Sequence, residues 1–304
     1  MEQNRSFILE LLEQALCHHP DIVCLPETFT QPAAKISSID EIAEPLDGPT
    51  VSAVAERARR AQCYILCPLF LRRAEGIFNS VVILDRTGAC VGTYDKAQPV
   101  TTMADYTVRE NGVTPGGPPP VFDLDFGRIG IQVCFDAGFP EQWAALASQG
   151  ARLIFWPSAY NGGFPLQAYA SLHGVYVVTS SRGDKSRIID PCGTVLQETD
   201  QLAPLLVRDI NLDFAVCHYD FNYSIPDQLL ALYPGQVEIR SHLDSGVFLV
   251  EPTDPGLTIA RLQKELGFET AAQYFQRHRD ANGAPQEALH GQRPMYGKWW
   301  KLTI

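Results

Sequence analysis

Residues 127–141, GRIGIQVCFDAGFPE, decide the reading of this chain. Ile129, Ile131 and Val133 alternate with Gly130 and Gln132, the period of a β-strand that runs into Cys134. Phe135 to Phe139 then reverse the chain. Pro140-Glu141 opens an apolar-periodic helix through Trp143, Leu146 and Ala147. Proline and an acid suit a first helical turn, where one N–H is unpaired anyway and the helix end is partly positive. The Cys134 thiol is therefore expected at a strand-to-helix elbow, beside backbone N–H groups that can hold an anion.

A cysteine by itself is most often a small buried apolar residue. Here its company argues for chemistry. LPETF (25–29) places Glu27 after the strand Ile22-Val23-Cys24-Leu25. GTYDKAQP (92–99) places Lys96 after the strand Val91-Gly92-Thr93-Tyr94. An acid, an amine and a thiol thus each close a separate strand, and strand ends are where sheets bind ligands.

With these three motifs the chain resembles the nitrilase, or carbon–nitrogen hydrolase, superfamily. The matching segments are LPETF, YDKAQP and CFDAGFPE, in the family's order, joined by RENGVTPGG (109–117). The resemblance covers roughly residues 5 to 215. It implies a four-layer αββα sandwich and a Glu–Lys–Cys triad of Glu27, Lys96 and Cys134, with Glu110 as a second active-site glutamate. It implies that Glu27 is the general base, Cys134 the nucleophile, and Lys96 with the Phe135 N–H the stabilisers of an oxyanion. A neighbouring ammonium favours thiolate, so Cys134 is expected to be the selectively reactive thiol among the eight. Tyr160, Asn161 and Phe164 are pocket candidates because their loop follows a strand end. Glu141 reads as an ordinary first-turn acid.

Two departures stand out. The family places an arginine just after the cysteine where this chain has Gly138, which weakens carboxylate-bearing substrates as candidates. The family also begins with a short strand, whereas this chain opens almost directly on a helix at Phe7, Ile8, Leu11, Leu12, Ala15 and Leu16. The first strand position is therefore expected to be vacant, which suggests a late start site or a truncated chain.

A net charge of −11 argues against a nucleic-acid partner. No apolar run approaches the roughly 18 residues of a membrane helix, and the first helix, carrying Glu10 and Glu13, is not a signal peptide. The eight cysteines lie mostly in apolar runs and imply reduced thiols in a cytoplasmic protein. Cys63, Ile65 and Cys67 alternate and read as one face of a buried strand, not as a zinc site. No metal and no cofactor is expected.

Along the chain, helices are expected at residues 6–18, 50–60, 140–149 and 166–172. Strands are expected at 21–25, 63–71, 78–84, 91–96, 121–126, 128–134, 153–156, 175–180, 186–190, 194–198 and 205–210. Residues 97–120 form a Gly/Pro-rich loop long enough to suspect function. We divide the chain into a hydrolase domain over 1–215 and a segment over 216–304. The second segment carries no motif, has a strand at 246–250 and broken helices around Gly267, and ends with Trp299-Trp300. It reads as an extension that packs on the domain or on a partner subunit.

The function expected is hydrolysis of a small linear amide or N-carbamoyl compound through a Cys134 thioester. The rivals are a nitrilase acting on a small nitrile and a catalytically silent binding or assembly module. A homodimer or higher homo-oligomer, with no nucleic-acid and no membrane partner, is the expected assembly.

Overall fold

A computed structural model describes residues 1–31, 38–110, 112–183 and 185–283. The chain divides into two compact units, Met1–Leu212 and Asp213–Ile304. The first unit opens with α1 (Glu2–Leu16), β1 (Ile22–Cys24), α2 (Pro49–Ala61), β2 (Tyr64–Arg73), β3 (Gly76–Leu84) and β4 (Cys90–Asp95). The strands form one sheet in the order β1-β2-β3-β4. β1 runs parallel to β2, and β3 is antiparallel to both β2 and β4. The carboxyl ends of β1, β2 and β4 and the start of β3 therefore share one end of the sheet. That end carries Glu27, Lys96 and Asn79.

A second sheet follows, from β5 (Val121–Leu124), β6 (Gly127–Ile131), β7 (Leu153–Ser158), β8 (Tyr176–Ser181), β9 (Arg187–Ile189) and β10 (Val195–Glu198), in the order β10-β9-β8-β7-β6-β5. β6, β7 and β8 are parallel, so Cys134 and Ser158 follow at the same end. Helices α3 (Pro140–Ser148) and α4 (Phe164–His173) cover its outer face. Trp143, Leu146 and Leu166 pack there with Ile154, Trp156 and Val177. On the first sheet α1 and α2 do the same, with Leu12, Val54 and Ala58 against Ile65, Cys67 and Val82. These are the four layers of the αββα sandwich. Cys63 and Cys67 sit fully buried in that cluster, as their alternation requires.

No strand lies on the outer side of β1 among the described residues. Asp21 O and Leu25 N pair with β2. By the period of two, Ile22 and Cys24 turn their N–H and C=O groups to the open side. A cavity of about 470 Å³ runs along this edge, lined by Ile22, Cys24, Leu153, Phe155, Val178 and Leu205. None of Glu27, Lys96 and Cys134 lines it. The strand expected over 205–210 is absent. Its apolar residues line the cavity without joining a ladder. No helix among the described residues is long and apolar enough to cross a membrane.

The second unit holds β11 (Ala215–His218), α5 (Ile225–Leu232), β12 (Val237–His242), β13 (Val247–Pro252), α6 (Ile259–Leu266) and α7 (Ala271–Gly283). Its strands form an antiparallel sheet in the order β11-β13-β12. It closes a cluster of its own around Cys217, Leu229, Phe248, Val250 and Leu262. Gly267 ends α6 with φ 72°, the left-handed turn that glycine adopts without strain. Trp299 and Trp300 lie outside the described residues.

Candidate active site

Glu27, Lys96 and Glu110 meet directly. Lys96 Nζ lies 3.1 Å from Glu27 Oε1 and also bonds Glu110 Oε1. Lys96 is 1% exposed and Glu27 4%, so this is a desolvated ion cluster and not a surface pair. Burial alone would lower the ammonium's pKa, but Glu27, Cys134 and Glu110 raise it, and the net shift is upward. Lys96 is held charged.

Local structure explains how each residue arrives. Lys96 follows β4, its N–H bonded to Asn79 O at 2.8 Å and its C=O accepting from Gly116 N at 2.9 Å. A Cβ on Gly116 would lie 2.1 Å from Asp95 O, so only glycine lets the loop close over this strand end. Glu110 comes from the 97–120 loop. Thr101 pairs with Arg109 in an isolated bridge, and Glu110 N bonds Val100 O at 2.8 Å. Glu110 itself has φ 41°, a conformation that L side chains rarely adopt.

Cys134 sits at the elbow. β6 ends at Ile131 and not at Cys134, because Val133 N is taken by Asp136 Oδ2 at 2.9 Å instead of by a ladder partner. Cys134 then turns to φ 49° and starts a 3-10 turn, Cys134–Gly138, ahead of α3. A cysteine with a positive φ is strained and is held there by its surroundings. The Phe135 N–H takes no partner among the described residues.

The Cys134 thiol is pushed up to about 11, first by burial and then by the Glu27 charge. Lys96, the Ser158 hydroxyl and the Ala159 N–H pull the other way and lose. Burial and the Glu27 charge thus outweigh the neighbouring ammonium, and the thiol form is favoured, in keeping with the expectation that a base must take its proton. Cys17 and Cys90 are exposed, so Cys134 is not singled out by access either.

Hydrogen-bond saturation separates the two glutamates. Glu110 accepts at Oε1 from Lys96 and from Val100 N, and at Oε2 from Asn79. Glu27 accepts at Oε1 from both Asn79 and Lys96, while its Oε2 takes no partner among the described residues. One carboxylate is fully engaged, and the other keeps an oxygen free to take a proton.

Two buried residues escaped the sequence reading. Asp136 accepts from Tyr94 Oη at 2.7 Å, Gln98 N at 2.8 Å and Val133 N, and so ties the strand end that carries Lys96 to the Cys134 elbow. Burial raises its carboxyl to about 6 against those three bonds. Asn79 bridges both glutamates.

The pocket candidates divide. Tyr160 packs edge-on against Trp156 at 5.2 Å, and its phenol is raised by burial and by the nearby Cys134. Asn161 is half-buried in the same loop, but Phe164 opens α4 at 73% exposure, facing outward. Glu141 is an exposed first-turn acid of α3. At Gly138 an added Cβ would meet nothing within 4 Å, so the place of the family's arginine is open.

Known proteins are similar to this chain in sequence and fold. The deaminated glutathione amidase of Bos taurus is 27% identical over 241 residues, 70% of this chain and 73% of that protein. The β-ureidopropionase of Arabidopsis thaliana is 29% identical over 148 residues, 47% of this chain and 36% of that protein. Among solved structures, Saccharomyces cerevisiae Nit3 of the nitrilase superfamily aligns with a TM-score of 0.56 and 21% identity, over 65% of this chain and 80% of that one. The Caenorhabditis elegans NitFhit protein gives 0.61 and 24%, over 77% and 60%. The family model described as carbon–nitrogen hydrolase matches residues 1–216, so this chain belongs to the nitrilase superfamily of enzymes, which hydrolyse carbon–nitrogen bonds other than peptide bonds.

Proposed function

We propose that the chain hydrolyses a small linear amide or N-carbamoyl compound by covalent catalysis at Cys134, within a catalytic domain over 1–215. The observation that carries the reading is the free Oε2 of Glu27 in a cluster where every Glu110 oxygen is engaged. The amidase and ureidopropionase names of the relatives support the substrate class.

Glu27 Oε2 takes the thiol proton as Cys134 Sγ attacks the carbonyl carbon. The carbonyl oxygen becomes an anion. Two of the three Lys96 N–H groups are engaged by the glutamates. The third, with the Phe135 N–H, is left for that oxygen. Collapse breaks the C–N bond, and the leaving amine takes the proton from Glu27. Water then attacks the thioester carbonyl, giving its proton to Glu27. The acid departs and the thiol regains its proton. Glu110 holds Lys96 in place. No step calls for a cofactor.

A panel of small amides, carbamoyl compounds and nitriles, read by ammonia release and product mass, tests the assignment. Ammonia with an acid product from an amide, or ammonia with an amine and CO₂ from an N-carbamoyl compound, is the expected result. Turnover confined to nitriles would make the chain a nitrilase. No turnover on any of the panel, with the protein folded, would favour a silent assembly module.

A further inference from the structure

Asn79 on β3 has no part in the steps above, yet it touches Glu27, Glu110 and Lys96. It is 1% exposed. Its Nδ2 donates to Glu27 Oε1 at 2.8 Å and to Glu110 Oε2 at 3.0 Å, and its main-chain O holds Lys96 N at 2.8 Å. The orientation of the amide is dictated by chemistry. A carboxylate only accepts, so the amide NH₂ must face both of them. The consequence is that Oδ1 is buried with no hydrogen-bond partner among the described residues. An asparagine kept for stability alone would satisfy its oxygen, because an orphaned buried acceptor costs free energy.

We infer that Asn79 is a positioning residue: it fixes the Glu27 carboxylate by its Oε1 edge, so that Oε2 is the oxygen left for the Cys134 proton. This rests on Glu27 being the base. The groups that face Glu27 are the Lys96 ammonium, the Glu110 carboxylate across Asn79, the Cys134 thiol and, further out, the Tyr160 phenol. Glu110 and an ionised Cys134 oppose the Glu27 charge, and Lys96 and the Asn79 amide support it. Removing the amide takes away one of the two donors to Glu27 among the described residues.

The test is Asn79→Leu, similar in size and without hydrogen bonds, with Asn79→Ser as a second variant that keeps one donor. The Glu27 carboxyl is titrated by ¹³C NMR, assigned with Glu27→Gln, beside the pH profile of kcat/KM on an amide the parent turns over. In Asn79→Leu the Glu27 titration and the acid limb should both move up by about one to two pH units, the size of a hydrogen bond to a charged group. kcat should fall at least tenfold while KM changes little, with Asn79→Ser in between. An unmoved titration in either folded variant overturns the inference. A titration that moves while the acid limb stays put counts against Glu27 as the base, and leaves the hold of Asn79 on its carboxylate supported.

Discussion

Replacing Glu27 by glutamine keeps the size and the acceptor that Asn79 and Lys96 use, but turns an NH₂ toward Cys134. An amide cannot take the thiol proton. The variant must then react through whatever thiolate exists in solution. With the thiol at about 11, only about 10⁻⁴ of it is ionised at pH 7, a cost of about 5 kcal/mol at 1.36 kcal/mol per unit. Glu27 is itself the second cause of that upward shift, so removing its charge brings the thiol down and recovers part of the loss. The expected fall in kcat/KM therefore lies between the about 10²-fold of a lost general base and about 10⁴-fold. A pH series supplies the signature. The variant's kcat/KM should rise about tenfold per pH unit between pH 7 and 9, as thiolate accumulates, while the parent stays nearly flat. Ammonia release on one amide substrate at five or six pH values suffices. Activity within a factor of a few of the parent would remove Glu27 from the mechanism. A large loss with no alkaline rise would refute the argument that proton transfer from Cys134 is what Glu27 supplies.

Two further outcomes follow from the same structure. The Asp136 carboxyl is raised by burial from 3.8 to about 6, so its contribution to stability is full below about pH 4 and is lost as pH rises through about 6, a swing of about 3 kcal/mol. Asp136→Asn removes this titration. In urea unfolding the stability difference between parent and variant should change in the variant's favour by about 2 kcal/mol from pH 4.5 to 8, the part of the swing that lies in that window, and parallel pH profiles would contradict it. The open edge of β1 predicts that an alternating apolar strand joined ahead of Met1 pairs with Ile22 and Cys24, fills the cavity beside them and raises Tm by several degrees over a polar control of equal length. Equal midpoints would show that the edge needs no partner.

Much of the site was legible because its signals are local. Pro140 and Glu141 after an alternating run announce the elbow at Cys134, and Glu27 and Lys96 each close a short apolar strand. What failed was tertiary. Asn79 and Ser80 interrupt the apolar strand Ile77–Leu84, a polar pair that a fully buried strand does not carry for solubility, and that signal went unread. Asp136 lay in plain view within the motif, but its three partners come from the Lys96 strand end and from the elbow itself. The burial and the Glu27 charge that outweigh Lys96 at the thiol are tertiary effects, out of sight in the sequence. In the second unit, Ile225-Pro226-Asp227 is an ordinary helix start that opens α5. Its first strand, β11, lies far in sequence from its partner β13, and the periodicity of each strand is too brief to announce a sheet.

The central claim is a covalent bond to Cys134 during turnover. Rapid quenching of the enzyme with an amide it hydrolyses, followed by peptide mass mapping, measures this directly. The account predicts an added acyl group on Cys134 and on none of the other seven cysteines, formed as fast as the first molecule of ammonia is released, and absent together with turnover in Cys134→Ala. Turnover that survives in Cys134→Ala, or an acyl group carried by a different residue, would contradict it.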